Sequence, residues 1–402
     1  MKNRFLAIIM SLIVVLSLYS CKYNDNNKAQ FDEKTSQSAI ESNFVLTEPL
    51  FTGMQGKNHI QGIAVDDKNG YIYYSFTTKL VKSDFEGNII GSVGGLYGHL
   101  GCIAFNKDDG KIYGTIEYKH DSIGNAINKE SDLITNFSDG FYIGIFDVDK
   151  IVDNNMTVEN SDVMTAVHLS EVLNDYNGVG YNLNGEPVEH KYGCSGIDGI
   201  CFAPLPGAET DEKYLYVAYG IYNDISRSDN DHQVLLCYNV DKLNCFDQPL
   251  TLNNLHRSGP ENYDYKFFVY TGNTTYGVQN MTYDTFTNSL FMAVYKGTKS
   301  KFENFDVFSV DMSKPAVELE LNDINETGLA LTLSGSNKPE SNEINGWYIS
   351  YGQCGLSSRN DGSFYVAEQT KINDNNAAYI CIYDFNYKDG FKKQPDFKLT
   401  ND

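Results

Sequence analysis

Two histidines occupy the same place in two copies of a recurring stretch. His59 and His99 each stand four residues ahead of an aliphatic residue, Ile63 and Ile103, inside an apolar run. Two positions ahead of that aliphatic residue come Gln61, Asp198, Gln279 and Cys354 in their respective copies, with Asn280 and Gln353 alongside. A second set closes the next apolar run: Glu117 and Lys119, Tyr219 and Tyr222, Tyr295, and Glu368. Three chemistries are open to such a collection. Glu117, Asp198 and Glu368 could divide the work of glycosidic hydrolysis, one acid protonating the leaving oxygen while another activates water. His59 and His99 with Glu117 could hold a divalent metal, which needs three or more ligands at about 2.1 Å. Without turnover, His59, Gln61, His99, Tyr219, Tyr222, Gln279, Asn280, Tyr295 and Gln353 could bind a small molecule or glycan, amides giving directed hydrogen bonds and tyrosines flat amphipathic walls. Each residue also has a plainer role: Asp198 as a cap for backbone N–H groups, Glu117 as a partner of Lys119 or Lys296.

Other candidates are weaker. Asp147-x-Asp149-x-x-x-Asp153 has the spacing of a calcium loop but lacks its glycine and terminal glutamate, and reads as a solvated turn. The run from Arg227 to His232 reads as an inserted loop, either solvated or able to close over a ligand. No Cys-x-x-Cys pair, Gly-x-Ser-x-Gly elbow, phosphate loop or dinucleotide fingerprint occurs. Cys194 and Cys354 are the cysteines nearest the candidate residues.

What must position these groups is a strand start that occurs five times, at Asn58–His59–Ile60–Gln61–Gly62–Ile63, Tyr97–Gly98–His99–Leu100–Gly101–Cys102, Tyr192–Gly193–Cys194–Ser195–Gly196–Ile197, Tyr276–Gly277–Val278–Gln279–Asn280–Met281 and Tyr351–Gly352–Gln353–Cys354–Gly355–Leu356. Repetition of one strand start means repeated supersecondary units. After each comes a turn, often Asp/Asn-rich with a closing glycine, then a second strand rich in aromatic and β-branched residues. Third strands end in Ile145–Phe146–Asp147–Val148–Asp149 and its counterparts at 237–242, 308–312 and 382–386, and fourth strands fit 88–93, 163–169, 266–271 and 347–350. This up-down-up-down unit resembles the blade of a β-propeller, four antiparallel strands set around a channel. The third-strand endings look like those of YVTN- and NHL-type bacterial propellers. The resemblance implies an all-β fold over residues 44–402, with five blades and room for a sixth in 313–346. It also implies insertions at 118–139, 153–162 and 222–232, and ring closure by an N-terminal strand within 44–51. In a propeller the opening strands line the channel, so the candidate residues would meet at one rim.

Ahead of the repeats, Lys2 and Arg4 precede an apolar run over 5–18 and then Leu18–Tyr19–Ser20–Cys21. This has the build of a secretory signal, and Leu-x-Ser-Cys resembles the lipobox of bacterial lipoproteins, which implies cleavage after residue 20 and lipidation of Cys21. Residues 21–43 read as a polar tether. The chain is therefore expected in the bacterial cell envelope, outside the cytoplasm, meeting the membrane through its lipid alone. Its formal charge of −22, or −24 once Lys2 and Arg4 are removed, argues against nucleic-acid partners. Seven of the eight cysteines follow Cys21, an odd number that cannot all pair within the chain. A monomer is expected.

Overall fold

The computed structural model describes residues 44–130 and 137–398. The signal over 1–20, Cys21 and the tether over 21–43 lie outside the described residues. The chain is a five-bladed β-propeller. Blade 1 is Ile60–Asp66, Tyr71–Phe76, Lys79–Asp84 and Ile89–Gly94. Blade 2 is His99–Asn106, Lys111–Tyr118, Gly140–Phe146 and Met164–His168. Blade 3 is Cys194–Ala203, Tyr214–Ile221, His232–Asn239 and Tyr265–Tyr270. Blade 4 is Thr274–Asp284, Ser289–Lys296 and Val307–Asp311, and blade 5 is Leu356–Ser358, Ser363–Ile372 and Asn375–Asn386. Tight turns join first and second strands; at Gly70, φ is +75° and the amide returns to the Asp66 carbonyl at 2.9 Å, a conformation glycine adopts without strain.

Five apolar cores hold the ring, each wedged between two neighbouring blades. Tyr73 and Leu80 of blade 1 meet Ile103, Ile116 and Phe146 of blade 2; Tyr113 and Ile143 of blade 2 meet Ile197 and Val217 of blade 3. Tyr216 and Leu235 of blade 3 meet Met281 and Met292 of blade 4, and Phe291 of blade 4 meets Phe364 and Phe385 of blade 5. Tyr365 and Ile380 of blade 5 close onto Ile63 and Tyr74 of blade 1. Both faces of each blade are therefore buried, and this is why the strands read as near-continuous apolar and aromatic runs rather than as strict alternation. The thiols of Cys102, Cys201, Cys237 and Cys381 lie in these strands as small buried groups.

Leu50–Phe51 pairs with Asn375–Asn386 (Leu50 opposite Ile380), so the N-terminal side of the domain supplies the closing edge of the last blade. The rest of that edge is taken by Gly390–Lys393. Two expectations are corrected. There is no sixth blade among the described residues: Val317–Glu320 and Thr327–Ala330 form a hairpin that extends blade 3, Phe267 lying opposite Leu329 in a parallel pair. Nor does 347–350 form a strand in blade 4. Trp347 exchanges two backbone hydrogen bonds with Val307, but at the next turn of the ladder Ile349 N–H donates to the Asp306 carboxylate at 3.3 Å instead of to backbone. The helix Ser122–Glu130 fills part of the insertion in blade 2. Among the described residues no helix is long and apolar enough to cross a membrane.

Candidate functional site at the channel mouth

Four opening strands carry a β-bulge at the same place. Register shifts fall between Ile60 and Gly62, Leu100 and Ile103, Ile197 and Ile200, and Val278 and Asn280. A bulge holds an extra residue out of the ladder and re-aims its side chain. The residues so displaced include Gln61, Gly101, Asp198 and Gln279, the repeat position two ahead of the recurring aliphatic residue. In blade 2, His99 lies directly opposite Glu117, which puts both side chains on one side of the sheet. Asp198 arrives from the bulge of blade 3.

The three converge. His99 Nδ1 is 3.8 Å from Glu117 Oε2 and 3.7 Å from Asp198 Oδ1. One ligand atom from each residue lies within 4.8 Å of the other two. Glu117 Oε1 accepts from Ile197 N–H at 2.5 Å, and its other oxygen meets Lys119 Nζ at 2.8 Å. Lys119 also reaches Asp121 at 3.2 Å and the Ser195 carbonyl at 2.7 Å. Gln279 donates to Asp198 Oδ2 at 2.9 Å. Gly196 makes room for this: its φ is +127°, and a Cβ there would stand 1.8 Å from Glu117 Oε1.

His99 is 8 % exposed, and its Nδ1 has no hydrogen-bond partner. Burial, aided by the Lys119 charge, pushes its pKa down to about 4, so the imidazole is neutral at pH 7 and one of its two ring nitrogens carries a lone pair. Burial raises Glu117 in spite of Lys119. It raises Asp198 well above the ordinary aspartate range, and the charge of Glu117 adds to the effect. For Lys119 burial works against the charge, yet Glu117 and Asp121 outweigh it and hold the ammonium above lysine's usual range. Three carboxyl groups thus face one ammonium. Fully ionised, the cluster would be two positive charges short.

The other sequence candidates are placed as follows. Asn280 sits at the hub, donating to the backbone carbonyls of Gln61 and Gln353 at 2.9 Å each. Gln61 and Gln353 thus meet the hub through their backbone, while their side-chain amides turn to Thr77 (3.4 Å) and to the Ser350 carbonyl (3.2 Å). Tyr295 is at the mouth, 38 % exposed and edge-on to Tyr276. Tyr222 is half-buried, its ring 4.9 Å from that of His190, and burial raises its hydroxyl's pKa against the pull of the Lys119 charge. His59 does not join His99. It is exposed and lies against Gln369 Nε2 at 2.8 Å, in the gap between blades 5 and 1.

Two expectations fail for one reason. The residue of blade 5 equivalent to Glu117 by strand register is Gln369, and Glu368 is one residue off. A slip of one turns a strand side chain to the other face. Glu368 accordingly points away from the trio and is held by Tyr383 Oη at 2.6 Å and Lys393 Nζ at 2.9 Å. Tyr219 is out of phase in the same way: it is fully buried between blades 2 and 3 and donates to Asp175 at 2.7 Å. The run from Arg227 to His232 is neither a lid nor a solvated loop. Arg227, Asp229, Asn230, Asp231 and His232 are all buried, with Arg227 paired to Asp229 at 2.6 Å and Lys299 to Asp231. Asp147 caps a short turn, as expected of that run. Burial pushes the Cys354 thiol up to about 12 and raises Cys194 as well, so neither is a ready nucleophile.

Asp121 was not among the sequence candidates, although a signal exists. Asp121–Ser122 opens the helical insertion, and Asp121 Oδ1 accepts from the amides of Ile123 and Gly124 at 3.0 and 2.9 Å while Oδ2 faces Lys119.

The spacing bears on which chemistry the trio suits. A retaining glycosidase needs its carboxyl groups about 5–5.5 Å apart and an inverting one about 6.5–9.5 Å. One oxygen of Glu117 and one of Asp198 lie within 4.8 Å of each other and of His99 Nδ1, a triangle compact enough to close on a single ion. For a metal ion the fit is close. Two ligands at about 2.1 Å on opposite sides of an ion are about 4.2 Å apart, so small side-chain rotations would bring the three atoms into range.

No family model matches the chain, and no curated protein matches it. Among solved structures the chain is similar to a protein of unknown function from Bacteroides caccae, at 12 % identity over 70 % of this chain and 98 % of that one, with a TM-score of 0.30. It is also similar to the hydrazine synthase of Kuenenia stuttgartiensis, at 10 % identity over 90 % of this chain and 70 % of that one, with a TM-score of 0.32.

Proposed function

We propose that this protein is a lipid-anchored propeller of the bacterial cell envelope that holds a divalent cation at its channel mouth through His99, Glu117 and Asp198, and uses it to bind a small oxygen-rich ligand. One observation carries the reading: a neutral histidine nitrogen, nine-tenths buried and without a partner, aimed between two carboxyl groups. An unmade hydrogen bond on a buried nitrogen costs about 1–3 kcal/mol. A metal bond removes that cost, and a double charge balances the cluster. One imidazole nitrogen with two carboxylate oxygens suits zinc or manganese better than calcium or magnesium, which favour all-oxygen shells. Tyr222 and Tyr295 flank the mouth and Gln279 orients Asp198, which supports a ligand completing the coordination. The test is equilibrium dialysis of the domain after stripping with a chelator. About one equivalent of zinc or manganese should be retained, and cation at a hundred times its dissociation constant should add about 2.7 kcal/mol of stability. Retention of neither ion would overturn the reading.

The envelope placement rests on the charged start, the apolar run over 5–18 and Leu18–Tyr19–Ser20–Cys21. Cys21→Ser should move the protein from the membrane fraction to the soluble one. A variant still found with membranes would dismiss the anchor.

A further inference from the structure

A second feature lies at the other end of the strands. In blade 4 the mouth is reached by the start of Thr274–Asp284, and the turn between Asp284 and Ser289 is at the far rim. There a cleft of about 650 Å³ opens between blades 4 and 5. That is within the range of about 300–1,000 Å³ typical of small-ligand sites. Its wall is aromatic. Trp347 stands edge-on to Phe385 at 5.0 Å, and its Nε1 donates to the Tyr387 carbonyl at 3.3 Å, which fixes the indole. The Tyr387 ring is 5.8 Å away and 46 % exposed. The remaining lining is polar. Ser289 Oγ hydrogen-bonds Tyr387 Oη at 2.8 Å and lies 3.4 Å from Ser334 Oγ. Asn345 and Asp311 add an amide and a carboxylate.

The chemistry of this lining selects among ligands. Burial works against the Asp311 charge, but the Ser313 hydroxyl and Lys314, 3.1 Å away, hold its carboxyl below the usual range. Asp311 therefore accepts hydrogen bonds while its charge is already matched. Among the described residues Lys388 is the one cation lining the cleft, and they build no cluster there for a phosphate or sulfate group. Hydroxyls that donate and accept, one amide, one matched carboxylate and a fixed aromatic wall suit a neutral molecule dense in hydroxyls with apolar C–H faces. We infer that this cleft is a saccharide-binding site, sized for one or two sugar rings. It shares no residue with the channel mouth and does not depend on the cation.

Trp347 is the chain's only tryptophan, so tryptophan emission reports on this cleft alone. The experiment titrates the intact protein with a panel of neutral mono- and oligosaccharides and follows that emission. At least one sugar should give a saturable change, with the same midpoint in His99→Ala. Tyr387→Ala and Asp311→Asn should weaken it tenfold or more. Asn345→Ala, whose amide contacts Ser336 Oγ at 3.4 Å, serves as a milder variant should either of the others unfold. Emission that no sugar in the panel changes saturably, or a response that all three variants keep, overturns the inference.

Discussion

Asp198→Asn should raise the thermal midpoint of the metal-free protein and at the same time cost at least a hundredfold in affinity for zinc or manganese, about 2.7 kcal/mol. The two effects have opposite signs because the aspartate is poorly housed without a cation. Its pKa is raised in the folded state, first by burial and then by the charge of Glu117. A carboxyl group raised on folding holds its proton more tightly in the native state. The penalty is absent below the unfolded value near 3.8, grows as pH rises, and is complete above the folded value. Asparagine has the same shape, can keep the hydrogen bond from Gln279, and never ionises. The stability gain of Asp198→Asn should therefore widen with rising pH and vanish in acid. His99→Leu supplies the matching arm: it fills the space, removes the partnerless nitrogen and should likewise abolish cation binding. Melting curves with and without added zinc, taken across a pH series, check both variants. A purely structural trio predicts the reverse, with both substitutions destabilising and zinc indifferent to them. A variant that still gains stability from zinc as the unmodified protein does would end the metal reading.

The blades were legible because each unit repeats a burial pattern that water imposes: apolar strand, turn, aromatic strand. The placing of Asp198 beside His99 was only half legible. The repeat put Asp198 in the channel, but the bulge that lifts it there is a backbone event with no residue signature beyond nearby glycines, Gly196 and Gly199. Glu368 and Tyr219 show where counting along a repeat loses its force. Strand ends carry no mark of phase, and an error of one residue exchanges channel for core. The pairing of His59 with Gln369 was hidden because equivalence in the repeat gives equal height on the ring, not contact around it. The Trp347 cleft arises from a segment, 333–347, that pairs with blade 4 through isolated bridges to Val310 and Val307 rather than as a continuous strand. No periodicity announces such a segment.

Asn280→Asp should be among the most destabilising single substitutions in the chain, by about 3–5 kcal/mol, and it tests how the ring is held at its axis. A bulge leaves a backbone carbonyl outside the ladder, and a buried carbonyl needs a donor. Blades 2 and 3 solve this alike. Ser75 of blade 1 donates to the Gly101 carbonyl of blade 2 at 2.7 Å, and Thr115 of blade 2 donates to the Asp198 carbonyl of blade 3 at 2.8 Å. Ser75 and Thr115 are equivalent by strand register, and the same position in blades 3, 4 and 5 is Ala218, Ala293 and Ala367, which have no hydroxyl. Blades 4, 5 and 1 thus lack the hydroxyl donor their predecessors should supply. Asn280, fully buried, replaces it twice with one side chain, giving its two N–H groups to Gln353 and Gln61 while its Oδ1 faces the Cys102 thiol at 3.3 Å. Aspartate keeps the shape but sets acceptor against acceptor, and buries a charge with no cation beside it. Its pKa would be raised, so the damage should be greatest at neutral pH and lessen in acid. Asn280→Ala, which strands the two carbonyls without adding charge, should cost about 2–4 kcal/mol with little pH dependence. Urea midpoints at pH 5 and 8 measure both. Equal losses for the two variants at pH 8 would mean that packing at the axis, rather than the bridged carbonyls, closes the ring between blades 4, 5 and 1.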